Sequence, residues 1–286
     1  MLLAVDVGNT QTLAGVYHGD ELLHDWRIST ERAATADELA AHHDQILRLR
    51  GGGLDALDAM VVGSVVPRLT AAYRGLGAKY LGSEPLVVGP GVRTGISIAI
   101  DNPHELGADR LANAVAAHRR YGTACVVVDF GTATNFDAVS AVGEYVGGAI
   151  APGIETSLDA LTSRAARLVK VDLLAPERVI GKSTAESMRS GVVFGAVAMV
   201  DGIVARIKEE LDPDAAVIAT GGLAALVCRY SLQIDDHDPL LTLEGLRLIH
   251  ELNASRAAVE ADGRPEHPPA PAPRRSTKIS AAARVS

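Results

Sequence analysis

The 286-residue chain is long enough for two domains, because a single hydrophobic core rarely grows past about 250 residues. Hydrophobic residues make up 48% of it and aromatics only 3%, so the core has to be built from Val, Leu, Ile and Ala. A net charge of −8 excludes a nucleic-acid binder that relies on a global basic field, and two cysteines imply free thiols in a reducing compartment rather than a disulfide framework.

Residues 2–6, 12–17 and 22–28 read as three strands, the last two joined by a turn at Gly19-Asp20. The first delivers an acid into the turn Asp6-Val7-Gly8-Asn9-Thr10, and that acid interrupts any signal-peptide core. Apolar spacing over 36–49 predicts a helix ended by Gly51-Gly52-Gly53. His42 and His43 lie on it facing different directions, which suits solvated side chains better than a metal site. Residues 59–66 form a strand entering a small-residue loop, Pro67 starts a helix to about residue 80, and 85–88 is a further strand. Strands alternating with helices indicate an α/β domain.

After a weak apolar stretch at 92–100, Asn102-Pro103-His104-Glu105 carries a helix cap, a first-turn proline and a capping glutamate. Leu106-Gly107-Ala108-Asp109-Arg110 then opens a helix over 111–120. An adjacent acid and base behind a glycine suit a functional site; a surface ion pair of little energetic value is the other reading.

A second domain begins near Tyr121-Gly122 with Cys125-Val126-Val127-Val128-Asp129-Phe130-Gly131-Thr132-Ala133-Thr134-Asn135. The N-terminal pattern recurs here: an apolar strand delivers Asp, one residue intervenes, and Gly and Thr or Asn follow. Both copies continue into a second apolar run (13–17 and 136–139) and a glycine-acid turn, so the chain carries an internal duplication. Glycine lets a backbone approach a ligand closely, and successive N–H groups with Thr and Asn side chains make an anion-binding concavity. An Asp at the strand end is placed to hold a divalent cation such as magnesium. Two facing hairpins would grip a nucleotide's phosphates from both sides; two ordinary strand-ending turns are the plainer alternative, and the match between the copies favours the first.

Residues 147–153 are expected to close the second hairpin and lead into a helix over 157–166, followed by irregular chain over 168–179. Ser183-Thr184-Ala185-Glu186 is a capping box launching a helix to about residue 211. Its Gly191, Gly195 and Gly202 suit close packing of another helix, from this chain or from a second subunit. The apolar run 191–200 is too short to span a bilayer and stops at Asp201, so a soluble, cytoplasmic protein is expected. Gly181-Lys182-Ser183 is not a Walker A end, because Pro176 stands where that motif needs glycine. No G-x-G-x-x-G and no zinc spacing occur. Residues 215–220 form a strand ending at Gly221-Gly222, whose flat backbone suits a ring such as adenine or merely ends the strand. A helix over 240–252 closes the fold, and from residue 254 proline, alanine and arginine mark a disordered tail to 286.

With residues 6–10, 102–110, 129–134, 147–153 and 220–222 in this order, the chain resembles the type III pantothenate kinases of the acetate and sugar kinase/Hsp70/actin superfamily, over residues 1 to about 253. The resemblance implies an α/β protein of two duplicated ribonuclease-H-like domains (the actin-like ATPase fold), 1–120 and 121–253, with a nucleotide cleft between them. It implies ATP-dependent phosphorylation of pantothenate on its terminal hydroxyl, the first step of coenzyme A biosynthesis, by a homodimer that binds neither nucleic acid nor membrane. Asp6, Val7, Gly8, Asn9 and Thr10 are then the first phosphate loop, Gly131, Thr132 and Thr134 belong to the second, and Gly221 and Gly222 adjoin the adenosine. Asp109 is implied as the general base, with Gly107, Ala108 and Arg110 lining the pantothenate pocket and Thr184 reaching it from the partner subunit. Asp129 is implied to bind a monovalent cation (potassium or ammonium), with magnesium held through Asp6, Asp129 or both. Ile100 stands where some members place a Tyr near the substrate. Two other readings remain: a kinase of another specificity on this scaffold, and a non-catalytic relative acting as an accessory transcription factor. The segment Gly107 to Arg110 argues against the first, and the intact pair Asp109 and Asp129 against the second.

Overall fold

The computed structural model describes residues 1–164 and 171–262. The chain opens with β1 (Leu2–Val7), β2 (Gln11–His18), β3 (Glu21–Ser29), α1 (Ala36–Leu49), β4 (Ala59–Ser64), α2 (Pro67–Leu76) and β5 (Leu86–Val87). A short β6 (Ser97–Ile98) and the helix α3 (Ala108–Tyr121) lead into β7 (Cys125–Phe130), β8 (Ala133–Val139), β9 (Glu144–Pro152) and α4 (Ile154–Arg164). After them come α5 (Thr184–Leu211), β10 (Ala216–Thr220), α6 (Ala224–Cys228), β11 (Asp236–His237) and α7 (Leu241–Asp262).

The strands form two sheets, ordered β3-β2-β1-β4-β5 and β11-β10-β7-β8-β9-β6. In the first, β1, β2 and β3 form an antiparallel meander, and β4 and β5 join β1 in parallel. In the second, β7, β8 and β9 form the same meander, and β10 and β11 join β7 in parallel. The duplication visible in two Asp-x-Gly turns therefore extends through whole sheets, and β7 occupies the place of β1.

Because side chains alternate across a strand, each sheet has two apolar faces to cover. Leu3, Val5 and Val7 pack outward with Leu39 of α1 and Leu69, Tyr73 and Leu76 of α2. Val126, Val128 and Phe130 pack outward on the other sheet, with Val197, Val200 and Val204 of α5. The opposite faces look inward to a shared layer of α3 and α7. Leu2 and Ala4 meet Leu111, Val115, Leu246 and Ile249 there, while Cys125 and Val127 meet Ala114 and Ala117. The two helices cross closely, since a Cβ on Gly245 would fall 1.9 Å from the Ala112 carbonyl oxygen. The result is five layers, helices and sheets alternating, with α3 and α7 forming the middle layer between the two sheets.

Several local expectations change. His43 is not solvated: it is fully buried, accepting from Trp26 Nε1 at Nδ1 (3.2 Å) and bonded through Nε2 to the Tyr73 hydroxyl (3.0 Å), while His42 is exposed. Asn102 caps only a single 3-10 turn, Pro103–Glu105, and α3 starts at Ala108, so Asp109 lies inside its first turn. Gly147 and Gly148 lie within β9 rather than closing its hairpin, and the following helix starts at Ile154; its expected end at 166 lies outside the described residues. Two elements cross the division drawn at residue 120: β6 pairs with β9 of the second sheet, and α7 packs on β1, β2 and β4 of the first. The helix α7 also runs to Asp262, beyond the change of composition at 254, and residues 263–286 lie outside the described residues.

The helix α5 runs past Asp201 to Leu211, as its capping box and apolar spacing predict, and spans 28 residues. By length and composition α5 would suffice to cross a membrane (mean hydropathy 1.7), yet one face is buried in the protein's own core. No helix among the described residues covers Gly191 or Gly195, where an added Cβ would meet nothing within 4 Å. Ser183 accepts from the Glu186 N–H as a cap, but the Glu186 carboxylate reaches back to the Lys182 N–H.

Candidate active site

Strand alternation decides which way the two acids face. Asp6 continues the inward series Leu2, Ala4, and Asp129 continues Cys125, Val127, so both carboxylates point to the middle layer where α3 begins. The turns that follow are braced from behind. Thr30 donates its N–H to the Thr10 carbonyl and its hydroxyl to the Gly8 carbonyl, both at 2.9 Å, and Arg32 Nη2 donates to Asn9 Oδ1 at 3.1 Å. Opposite, the Thr132 carbonyl accepts from the Gly153 N–H (3.2 Å) and the Thr156 hydroxyl (2.8 Å). The two turns meet: the Thr10 and Thr132 hydroxyls are 3.3 Å apart. Val7 and Thr134 differ from their neighbours, for the Val7 side chain belongs to the outer core and the Thr134 hydroxyl is fully buried without a partner among the described residues.

Asp109 enters from α3. Gly107 is its N-cap, and a Cβ there would lie 2.4 Å from Asp109 Oδ1, so a larger residue would have to displace this carboxylate from its present position. Ala108 is buried against Gly63 of β4 and anchors the helix entrance. Asp109 Oδ1 accepts from the Arg110 N–H at 2.9 Å. The carboxylates feel one another. Burial, then Asp109 and Asp129, hold Asp6 well above the ordinary carboxylate range. Burial, with Asp109 and Asp137 adding to it, pushes Asp129 up to about 7. Convergent acids that resist ionising together are the donor chemistry that a cation relieves. Among the described residues no three Cys, His, Asp or Glu side chains form a metal-holding group by themselves.

Asp129 is held on two sides. Asn113 of α3 donates Nδ2 to Asp129 Oδ2 (3.1 Å) and accepts the Thr242 hydroxyl of α7 (2.8 Å). Gly221, at φ +92°, lies so close that a Cβ would sit 2.7 Å from Asp129 Oδ1, whereas Gly222 offers open, exposed backbone.

Arg110 does not pair with the Asp109 carboxylate. Its Nε and Nη2 both reach Oδ1 of the fully buried Asp137, at 2.8 Å each, and the Tyr145 hydroxyl donates to the same oxygen at 2.7 Å. Burial pushes the Asp137 carboxyl up to about 6, against the pull of Arg110 and Tyr145. Ile100 packs nearby in the same inner cluster as Tyr145. Thr184 stands apart from this group. It is exposed at the first position of α5, on a groove of about 570 Å³ with Ile154, Met188, Gly191 and Gly195, whose lining includes none of residues 107–110.

Sequence reasoning missed Asn113, Asp137, Thr30 and Thr242. The signal for the first two was a lone polar residue inside an apolar run, Ala112-Asn113-Ala114 and Phe136-Asp137-Ala138, since a buried polar group needs a partner. Thr30 and Thr242 carried no comparable mark.

Two sheets of one topology, each turning its first hairpin over a shared acidic cleft, define an actin-like ATPase fold. The backbone is similar to a putative Baf family transcriptional activator from Campylobacter jejuni (TM-score 0.56, 20% identity, 88% of this chain and 99% of that one). It is also similar to a ROK hexokinase from Thermus thermophilus (TM-score 0.51, 16% identity, 88% and 99%). At such identities the likeness concerns fold alone. A family model described as type III pantothenate kinase matches residues 2–206. Type III pantothenate kinases of Frankia casuarinae and Geobacter sulfurreducens are 52% and 49% identical over 254 and 253 residues, covering 88% of this chain and 100% and 99% of theirs. That of Streptomyces griseus is 51% identical over 265 residues, covering 90% of this chain and 100% of its own. The chain belongs to the type III pantothenate kinase family.

Proposed function

We propose that this kinase transfers the γ-phosphoryl group of ATP to the terminal hydroxyl of pantothenate, giving 4'-phosphopantothenate for coenzyme A biosynthesis in the cytoplasm. The observation that carries the reading is the meeting of the two hairpins at Thr10 and Thr132, with the acids of their first strands, Asp6 and Asp129, both feeling the charge of Asp109. Phosphoryl transfer asks a protein mainly for positioning and charge stabilisation. The backbone N–H groups and hydroxyls of the two turns bind the phosphates, and Gly221 and Gly222 face the adenosine. Asp109 accepts the proton of the attacking hydroxyl, while Gly107 and Arg110 line the acceptor pocket. Magnesium held through Asp6, Asp129 or both, and potassium or ammonium at Asp129, would offset phosphate charge.

The open groove beside Thr184 and the uncovered glycine face of α5 support a homodimer in which Thr184 completes the partner's pocket. The test is ADP release by the full chain with magnesium, run with and without pantothenate, in potassium and then in sodium. Pantothenate-dependent release in potassium that falls in sodium supports the reading. Nucleotide binding without turnover would instead favour a non-catalytic relative, and turnover with a sugar alone a different kinase. Mixing Asp109→Asn and Thr184→Ala chains should restore part of the activity each lacks, and sedimentation at the monomer mass would contradict the dimer.

A further inference from the structure

Asp137 is the most deeply buried acid near the acceptor pocket, and the mechanism above assigns it nothing. A buried carboxylate has to be paired and hydrogen-bonded to be tolerated. It is paired through one oxygen only. Oδ1 takes Arg110 Nε, Arg110 Nη2 and the Tyr145 hydroxyl, while Oδ2 is buried with no partner among the described residues. The guanidinium also lies over the Tyr145 ring, 5.8 Å from its centroid. Its Nε and Nη2 edge is thereby occupied, whereas Nη1 has no partner among the described residues and the side chain keeps 17% exposure. An arginine loses considerable rotamer freedom when it is fixed, and ordering it before the ligand arrives removes that cost from binding.

We propose that Asp137, seconded by Tyr145, is a positioning residue for the acceptor: it locks Arg110 so that Nη1 meets the anionic end of the substrate, and so sets acceptor affinity rather than the rate of transfer. This rests on the function proposed above, in which the acceptor is a hydroxy acid whose carboxylate lies at the end remote from the reacting hydroxyl. The bland alternative is an ion pair that only joins α3 to β8 and β9. The two differ in what they do to kinetics, because a structural pair affects both substrates alike.

The test is steady-state kinetics of the full-length enzyme and its Asp137→Asn, Tyr145→Phe and Arg110→Lys variants, with KM measured for each substrate. Asp137→Asn should raise KM for pantothenate by about tenfold or more and leave KM for ATP within about twofold, the loss falling mainly on KM rather than kcat. Tyr145→Phe, which keeps the ring and removes one of three bonds, should shift the same constant by about two- to fivefold and serves if Asp137→Asn folds poorly. The double variant Asp137→Asn/Arg110→Lys should be little worse than Arg110→Lys alone, because Asp137 acts through Arg110. Unchanged KM for pantothenate in Tyr145→Phe and Asp137→Asn, equal losses for both substrates, or additive effects in the double variant would overturn the inference while leaving the function intact. Failure of the unaltered chain to phosphorylate pantothenate would overturn both.

Discussion

The hydroxyls of Thr10 and Thr132 lie 3.3 Å apart although 122 residues separate them. Each stands at the same place in one of two duplicated sheets, so their meeting follows from β1 and β7 both ending over the layer formed by α3 and α7. In the proposed function a phosphate chain seated here would be held from both sheets at once. Thr132→Val should therefore raise KM for ATP by about tenfold, the loss of one hydrogen bond to a charged group, with KM for pantothenate little changed. An unaltered KM for ATP would remove this hydroxyl from phosphate binding.

Asp109→Asn keeps the size of the side chain and removes its basicity. Turnover should fall at least about a hundredfold with both substrates still bound, which single-turnover phosphoryl transfer and equilibrium binding measure together. Turnover within a few-fold of the unaltered enzyme would exclude Asp109 as the base.

The acids of the cleft oppose folding in the absence of ligands. Asp129 binds its proton more tightly folded (about 7) than unfolded (about 3.9), so its contribution is fully present below the unfolded value and is lost as pH rises through 7. Asp129→Asn should accordingly raise the Tm of the ligand-free protein at pH 8 by about 2–4 °C, the shift expected of roughly 1 kcal/mol in a chain of this length, while activity is lost. A lowered Tm would show that Asp129 supports the fold instead.

His43 gives the opposite slope. Burial, with His42 adding to it, lowers its pKa to about 4, below the unfolded value of about 6.5. The unfolded chain then binds more protons between those values, so stability is lost as pH falls from about 6.5 towards 4. His43→Phe should flatten this acid loss in thermal unfolding. At pH 7.5 it should cost about 1–3 kcal/mol, because Trp26 Nε1 and the Tyr73 hydroxyl lose their partner. An acid limb as steep as before would place the titration elsewhere.

Much of this was legible in the chain because local patterns matched the global arrangement. Residues 2–6 and 125–130 are apolar strands closed by Asp-x-Gly, and α5 carried its Ser183 cap in plain view, whereas the Thr35 cap of α1 went unread. What stayed hidden depended on partners far away in sequence. Whether His43 or His42 turned inward was set by Trp26 and Tyr73, and Asp137 is explained by an arginine 27 residues earlier. The strand β6 is two residues long and exists through the edge of β9, which no periodicity could reveal. The place of α7 between the sheets likewise required the first sheet's inner face to be known.

The most direct measurement is a structure of the full chain with magnesium and a non-hydrolysable ATP analogue. The account predicts β- and γ-phosphates within hydrogen-bonding distance, about 3 Å, of both Gly8–Thr10 and Gly131–Thr132, with the γ-phosphate facing Asp109. A triphosphate bound to one hairpin alone, or turned away from Asp109, would contradict it.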